Sequence, residues 1–394
     1  MNSMIAQIRS LPALIREAFG PFDEAVRSTL DRPTCQAMQR LVVTGCGDSH
    51  HAALTTELAF EALAGLPTEP MTALQCARYG VGFLPEAGGN VVVGMSVSGE
   101  VTRTIEALTL ARQAGATTIV LTATPGSRIG RVADRIVLTQ TAPFPDPPGT
   151  VTPGMRSYVA NQLGLLLMAA HIGAMRDRLS ASEADALRLE IRALADAADA
   201  IIEASDAPAR ELAEAWADAQ DFVFCGGGPN YGSALFSAAK VLEASGDPAL
   251  GQDMEEWAHL QYFARLAATP TFLISAGDRD LSRATEVAVA AKTIGRRAVA
   301  VCPPDAARLV AAVNTTLPLV KGVREMFTPL VAFIPCALFA AYRAEVIGET
   351  FFRGFGAGRS LEGGGGISRI RTSELWTEAP APVQAASASR RAQP

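Results

Sequence analysis

Five consecutive residues, Ser96-Val97-Ser98-Gly99-Glu100, put two hydroxyls, a glycine and a carboxylate into one short stretch. Hydroxyl and backbone N–H donors are the groups that hold an oxyanion, and glycine lets the backbone approach it closely. The apolar run Val91 to Met95 precedes the stretch, in the pattern of a strand buried on both faces of a parallel sheet. From Thr102 onward Ile105, Leu108 and Leu110-Ala111 recur near helical spacing. Ser96 to Val101 therefore reads as a strand-to-helix turn, where unpaired N–H groups and the positive end of a helix dipole converge. These residues leave two readings open. The turn is an anion cradle, most often for phosphate, or it is a plain N-cap with nothing bound, since Ser is a favoured cap.

The elements that must position this turn repeat along the chain. RLVVTGCGDSHHAALTTELAFEAL, GNVVVGMSVSGEVTRTIEALTLARQAG and ATTIVLTATPGSRIGRVADRIVLTQ each begin as a strand and pass through a turn or loop into a helix, the last returning to a strand. A proline-rich loop, TAPFPDPPGTVTPG, precedes a long helix over about 156–174. An Ala-rich charged helical stretch follows, and then the pattern restarts. DFVFCGGGPNYGSALFSAAKVLEASG lines up with residues 40–65, and TPTFLISAGDRDLSRATEVAVAAKTIG with residues 89–115. This is an internal duplication with a period of roughly 180 residues. Repeated βα units predict an α/β fold of two doubly wound parallel sheets in tandem, with right-handed crossovers. The second copy replaces the S-x-S-G-E turn by Ser275-Ala276-Gly277-Asp278. If capping were its only purpose, both copies would need similar chemistry there, so the asymmetry favours a ligand in the first copy.

Composition narrows the partners. The 394 residues carry a net charge of −6 and are 49% hydrophobic, and no Lys/Arg cluster stands out, which argues against nucleic acid. The six cysteines form no CxxC pair, so neither a zinc site nor a disulfide framework is expected, and a reducing cytoplasm fits. The N-terminal stretch has helical periodicity and no signal-peptide core. The apolar stretch Pro329 to Ala341 reads as a buried core helix too short to span a bilayer, so no membrane partner is expected. His50 and His51 open a helix beside a glycine turn and read as capping or packing residues. Asp253, Glu255 and Glu256 read as a solvated acidic turn without a partner histidine at metal-ligand spacing, so no metal or other cofactor is expected. The glycine run within 354–366 reads as a linker or a loop over the site, and 379–394 as a disordered tail.

In this order within a duplicated frame, GCGDSHHA, SVSGEVTRT, ATPGSRIGRVAD and AAKVLEASG…DMEEWAH resemble the tandem sugar isomerase (SIS) family. Its members include the isomerase half of glucosamine-6-phosphate synthase, aminosugar-phosphate deaminase/isomerases and fructosamine-6-phosphate deglycases. The resemblance implies N-terminal helices over 1–39, a first, flavodoxin-like SIS domain that binds phosphosugar over 40–178, a helical connector over 179–219 and a second SIS domain over 220–378. It also implies a sugar-phosphate grip by Cys46, Gly47, Asp48 and Ser49 together with Ser96, Val97, Ser98, Gly99 and Thr102. Glu243 is implied as the base that moves a proton between C1 and C2, Lys240 as its neighbour three residues away, and His259 of the E-x-x-H stretch as the ring-opening group. In the family that histidine comes from the neighbouring subunit, which implies a homodimer. A spacing of three puts Lys240 and Glu243 on one helix face, and a glutamate and a histidine suit proton transfer at carbon and oxygen.

The departures from the family are as specific. The synthases' Gln and Thr in the phosphate turn are Val97 and Val101 here, with Thr102 and Thr104 nearby, and Asp48 replaces their threonine. No lysine follows Lys321 to match their imine-forming tail lysine, and the chain opens Met1-Asn2-Ser3 without their catalytic cysteine, so no glutaminase activity is expected. These features place the expected function nearer to deaminases and deglycases. Two readings stand against that enzyme: a sugar-phosphate binding or regulatory module without turnover, and an enzyme for an unusual or unphosphorylated sugar.

Overall fold

The computed structural model describes residues 2–85 and 88–360. The glycine run from residue 361 onward and the expected tail lie outside the described residues. Strands β1 (Arg40–Gly45), β2 (Thr68–Thr72), β3 (Asn90–Met95), β4 (Thr117–Thr122) and β5 (Arg135–Leu138) form one parallel sheet in the order β2-β1-β3-β4-β5. Strands β6 (Phe222–Gly226), β7 (Ala249–Asp253), β8 (Pro270–Ile274), β9 (Arg297–Cys302) and β10 (Thr315–Pro318) repeat that order as β7-β6-β8-β9-β10, again all parallel. This is the 2-1-3-4-5 order of doubly wound sheets. Its switch points lie between β1 and β3 and between β6 and β8, and ligands bind at the carboxyl ends of such strands. The expected fold class and the duplication both hold.

The two sheets share one core. Leu41, Val43, Val93 and Leu121 of the first sheet and Phe222, Phe224, Phe272 and Val299 of the second belong to one buried cluster. Helix Leu11–Thr29 adds Leu14, Ile15, Phe22 and Val26 to it, and helix Ala181–Ala215 adds Leu187, Ile191, Leu194 and Ile201. The 181–215 helix starts at a capping box, in which the Ser180 side chain accepts from the Glu183 N–H and the Glu183 side chain accepts from the Ser180 N–H. Helices Arg156–Met175 and Ile334–Val346 run through the middle. The apolar stretch from Pro329 extends further than the sequence indicated. It continues to Val346, 18 residues, and by length and composition both it and Arg156–Met175 are long enough to cross a membrane. Both are 89% buried within the protein, as core helices are. No disulfide joins the six cysteines, and only Cys46 is exposed.

Candidate active site

The turn after β1 is shaped by glycine. A Cβ on Gly45 would come within 2.6 Å of the Ser49 Cβ, and Gly47 has φ of 54°. This tight reversal starts helix Asp48–Ala59 at once and puts Asp48 and Ser49 in its first turn. Helix Asn230–Ala244, from the second half, packs against the 48–59 helix and delivers Lys240. The Lys240 side chain is fully buried. It donates to Asp48 Oδ2 at 2.8 Å and to Glu243 Oε2 at 2.5 Å, and its Nζ lies 4.7 Å from the Phe236 ring centre. Asp48 and Glu243 keep 25% and 23% of their side chains exposed, so the ammonium lies behind two carboxylates that face solvent.

Burial alone would depress the Lys240 pKa, but the charges and hydrogen bonds of Asp48 and Glu243 outweigh it and the pKa is raised. Lys240 is thus a fixed cation, and a protonated amine is no nucleophile for imine formation. Beside it, His51 Nδ1 lies 3.9 Å from Asp48 Oδ1. Burial, joined by the charges of His50 and Lys240 and opposed by Asp48, takes the His51 pKa down to about 4, which keeps the ring neutral. Burial lowers the His50 pKa too. Both His Nδ1 atoms are buried without a hydrogen-bond partner.

The second turn follows β3, the neighbour of β1. Ser96 is buried, and its hydroxyl oxygen accepts from the Gly99 N–H at 3.1 Å. The Ser98 hydroxyl is exposed and accepts from the Glu100 N–H. The Val97 carbonyl is held from the end of β4 by the Thr122 and Thr124 hydroxyls, each at 3.3 Å. Glu100 accepts from the Arg128 N–H at 3.0 Å and so ties the turn to the next loop. No side chain caps helix Thr102–Gln113, the Thr104 N–H donates to the Val101 carbonyl at 3.1 Å, and the Thr102 hydroxyl is buried without a partner. Cys46 Sγ lies 3.8 Å from Thr104 Oγ1 and links the two turns. The sequence-derived candidates Cys46, Gly47, Asp48, Ser49, Ser96, Val97, Ser98, Gly99 and Thr102 thus lie on two turns at one switch point, with Lys240 reaching Asp48 on the first of them and Glu243 held by Lys240.

His259 stands apart. It ends helix Met254–His259 with 64% of its side chain exposed, and its only described partner is Glu255, Nε2 to Oε1 at 3.1 Å. Two of the acidic trio have structural partners, and Glu256 is exposed. Asp253 caps that helix by accepting from the Glu255 N–H, and Glu255 pairs with Arg283 at 2.5 Å. Among the described residues no group of three or more His, Cys, Asp or Glu side chains is placed to hold a metal ion.

Two features carry no local signal in the sequence. Asn161, on helix Arg156–Met175, donates from Nδ2 to Ser49 Oγ at 3.3 Å. In the second half Asp280 occupies the turn after β8, and its Oδ1 accepts from the buried Ser275 hydroxyl at 2.7 Å. A cavity of about 410 Å³ lies there, lined by Glu57, Glu61, Asp280 and Glu325 with Arg279, so the second switch point is rimmed by carboxylates.

A doubly wound α/β chain with two turns converging on one switch point defines a class by its fold and site, and the comparisons agree. Residues 36–171, which hold the first sheet, match the SIS domain profile. The chain is similar to the isomerising glutamine–fructose-6-phosphate aminotransferases. It is 27% identical to that of Gloeobacter violaceus over 345 residues, 86% of this chain and 55% of the relative. With that of Synechocystis it shares 28% over 365 residues, 86% and 56% of the two chains. The chain spans about half the length of these relatives. Among solved structures it resembles the C-terminal domain of the Francisella tularensis glucosamine-fructose-6-phosphate aminotransferase, with TM-score 0.73, 18% identity, and 88% and 97% of the two chains covered. It also resembles the Thermotoga maritima glucosamine-6-phosphate deaminase, with TM-score 0.65, 17% identity, and 88% and 95% covered. At these identities the structural likeness speaks for the fold.

Proposed function

We propose that the protein is a phosphosugar enzyme that interconverts aldose and ketose forms of an amino sugar phosphate or fructosamine phosphate, with water hydrolysing the resulting imine to a carbonyl and the free amine. The observation that carries this reading is the buried Lys240 ammonium held between Asp48 and Glu243 beside two donor-bearing turns. Glu243 is the base: it removes the proton from C2 or C1 of the open-chain sugar and returns it to the other carbon. Charge that builds on the sugar oxygen meets the Lys240 ammonium and the turn donors, a stabilisation that needs no metal. The Ser96–Thr102 turn and Ser49 hold the phosphate. Asp48, where the synthases have threonine, accepts from the substrate amine through the oxygen that Lys240 leaves open. His259 opens the sugar ring from a second copy of the chain, a role supported by its exposure and by the exposed Leu260 and Phe263 beside it.

Proton NMR in D₂O tests the reading, with glucosamine 6-phosphate, galactosamine 6-phosphate, fructose 6-phosphate plus ammonia, and a fructosamine 6-phosphate as substrates. Deuterium enters C1 or C2, or amine is released, and Glu243→Gln lowers the rate by about 10²- to 10⁴-fold, the usual share of a general base. Tight binding of a phosphosugar with no exchange on any substrate would replace the enzyme by a binding module.

A further inference from the structure

Helix Arg156–Met175 is apolar along nearly its whole length and buried from Tyr158 to Gly173. Besides His171, which bonds the Leu30 carbonyl, a stripe near its start breaks that pattern: Tyr158, Asn161 and Gln162, at the i, i+3, i+4 spacing of one helix face. None is more than 1% exposed. The Asn161 Oδ1 is buried without a hydrogen-bond partner, and the buried Tyr158 hydroxyl has the Gln162 amide and the Ser233 hydroxyl beside it. Leucine at these positions would pack the core without that cost. The stripe faces the site. Tyr158 stacks on Phe236, at 3.7 Å between ring centres, and the same Phe236 lies under Lys240. Asn161 reaches the Ser49 hydroxyl.

The chemistry of that contact is directional. An amide NH₂ only donates, so Asn161 Nδ2 fills a lone pair of Ser49 Oγ and cannot accept its hydrogen. Ser49 makes no other side-chain hydrogen bond among the described residues, and it is partly exposed on the turn after β1. We infer that Asn161 is a positioning residue that fixes the Ser49 hydroxyl as a donor pointing out of the fold, and so makes this turn select an anionic oxygen. The inference rests on the proposed reading of the turn as a phosphosugar site. Asn161 touches no ligand and acts through Ser49.

Asn161→Asp tests it with nearly unchanged shape. The carboxylate accepts the Ser49 hydrogen and turns it inward. Binding of glucosamine 6-phosphate and of unphosphorylated glucosamine is measured by calorimetry for the wild type, Asn161→Asp, Asn161→Leu, Ser49→Ala and the two double variants. Asn161→Asp and Ser49→Ala each weaken glucosamine 6-phosphate binding about tenfold, Asn161→Leu about threefold, and glucosamine binding changes less than about twofold. In the Ser49→Ala background neither change at position 161 weakens binding further, because the group it orients is gone. A further loss of about tenfold in that background would mean that the Asp charge itself repels the ligand and would overturn the inference while leaving the proposed function standing. An effect below about twofold for Ser49→Ala, the variant with least risk to folding, would overturn it as well. Failure of the wild type to bind glucosamine 6-phosphate would remove both the proposed function and this inference.

Discussion

The turns that follow β3 and β8 start from the same serine and end in opposite chemistry. Ser96 N–H donates to the Leu121 carbonyl of β4, and Ser275 N–H donates to the Val301 carbonyl of β9, so the two serines hold equivalent places. Each hydroxyl then accepts from a glycine N–H, Gly99 in one turn and Gly277 in the other. The second turn reaches its glycine one residue sooner. In the first turn the Ser96 hydroxyl hydrogen meets no acceptor among the described residues. In the second, Asp280 takes the Ser275 hydrogen at 2.7 Å from the position just before helix Leu281–Thr293. The second half has filled its own cradle with a carboxylate. The first half keeps its cradle open and has gained Lys240 and Glu243 from the opposite helix. In the repeat alignment those two residues fall on Ala59 and Ala62. A duplicated fold thus carries one open turn and one that its own carboxylate occupies.

The buried ammonium is the sharpest difference between the halves, and removing its partners should have the largest effect. Asp48→Asn combined with Glu243→Gln leaves Lys240 charged and fully buried with no carboxylate beside it. Breaking a buried pair from one side costs about 3–5 kcal/mol, and urea unfolding should read a loss of that size. Ala59 and Ala62 offer nothing comparable to break. A loss below about 1 kcal/mol would show that the ammonium reaches water and that the two halves differ less than their charges indicate.

The halves should also respond to acid in opposite directions. Burial lowers the His51 pKa to about 4 from an ordinary 6.5, so the unfolded chain takes up the proton first. Stability from the neutral ring is present above pH 6.5 and is lost as pH falls toward 4, on the order of 3 kcal/mol in all. Asp280 runs the other way. Burial, with Glu325 and Asp278 adding repulsion, raises its pKa from 3.8 to about 6. The folded state then binds a proton that the unfolded state does not, and stability rises as pH falls from about 6 to 4. The two slopes overlap in the wild type and separate in variants. His51→Gln should remove the acid loss. Asp280→Asn should raise stability near pH 7 by an amount on the order of 3 kcal/mol and change nothing near pH 3.5. Melting temperatures of both variants at those two pH values check this, and an Asp280→Asn variant that is less stable at neutral pH would show that the carboxylate is needed in the cradle.

How much of this was legible in the sequence follows from the range of each interaction. The strand Val91–Met95, the turn and the helix from Thr102 were readable because each signal lies within about a dozen residues, and the structure places them at Asn90–Met95 and Thr102–Gln113. The asymmetry of the repeats was readable because two aligned stretches differ in their hydroxyls. Asn161 was not readable. Its partner Ser49 is 112 residues away, and an Asn in a run of Leu and Ala carries no local sign of which neighbour it serves. Asp280 was hidden for a different reason: an acidic residue before a helix reads as an ordinary cap, and here its side chain makes no cap hydrogen bond and turns back to Ser275. The 329–346 stretch runs longer than its sequence suggests because Pro335 does not end it: a short helix Pro329–Ala332 gives way at Phe333 to a second helix that continues to Val346. That proline sits in the first turn of helix Ile334–Val346, where its missing N–H costs nothing.

The smallest expected effect separates the two glycines. Gly99 has φ of 71° and Gly277 has φ of 79°, so a side chain at either position meets the left-handed penalty of roughly 1–2 kcal/mol. Beyond that the surroundings differ. A Cβ on Gly99 would lie 1.8 Å from Ser127 Oγ and 2.3 Å from Ser127 Cβ, an overlap that only movement of the next loop relieves. A Cβ on Gly277 would meet Pro303 at 3.4 Å, an ordinary contact. Gly99→Ala should therefore cost about 3 kcal/mol, with overpacking added to the backbone strain, and should weaken phosphosugar binding because the turn itself must shift. Gly277→Ala should cost about 1 kcal/mol and leave binding unchanged. Equal losses in the two variants would mean that the loop bearing Ser127 yields freely. The tie from Glu100 to the Arg128 N–H would then not hold the first turn in place, and its open cradle would be a resting shape that the ligand has to rebuild.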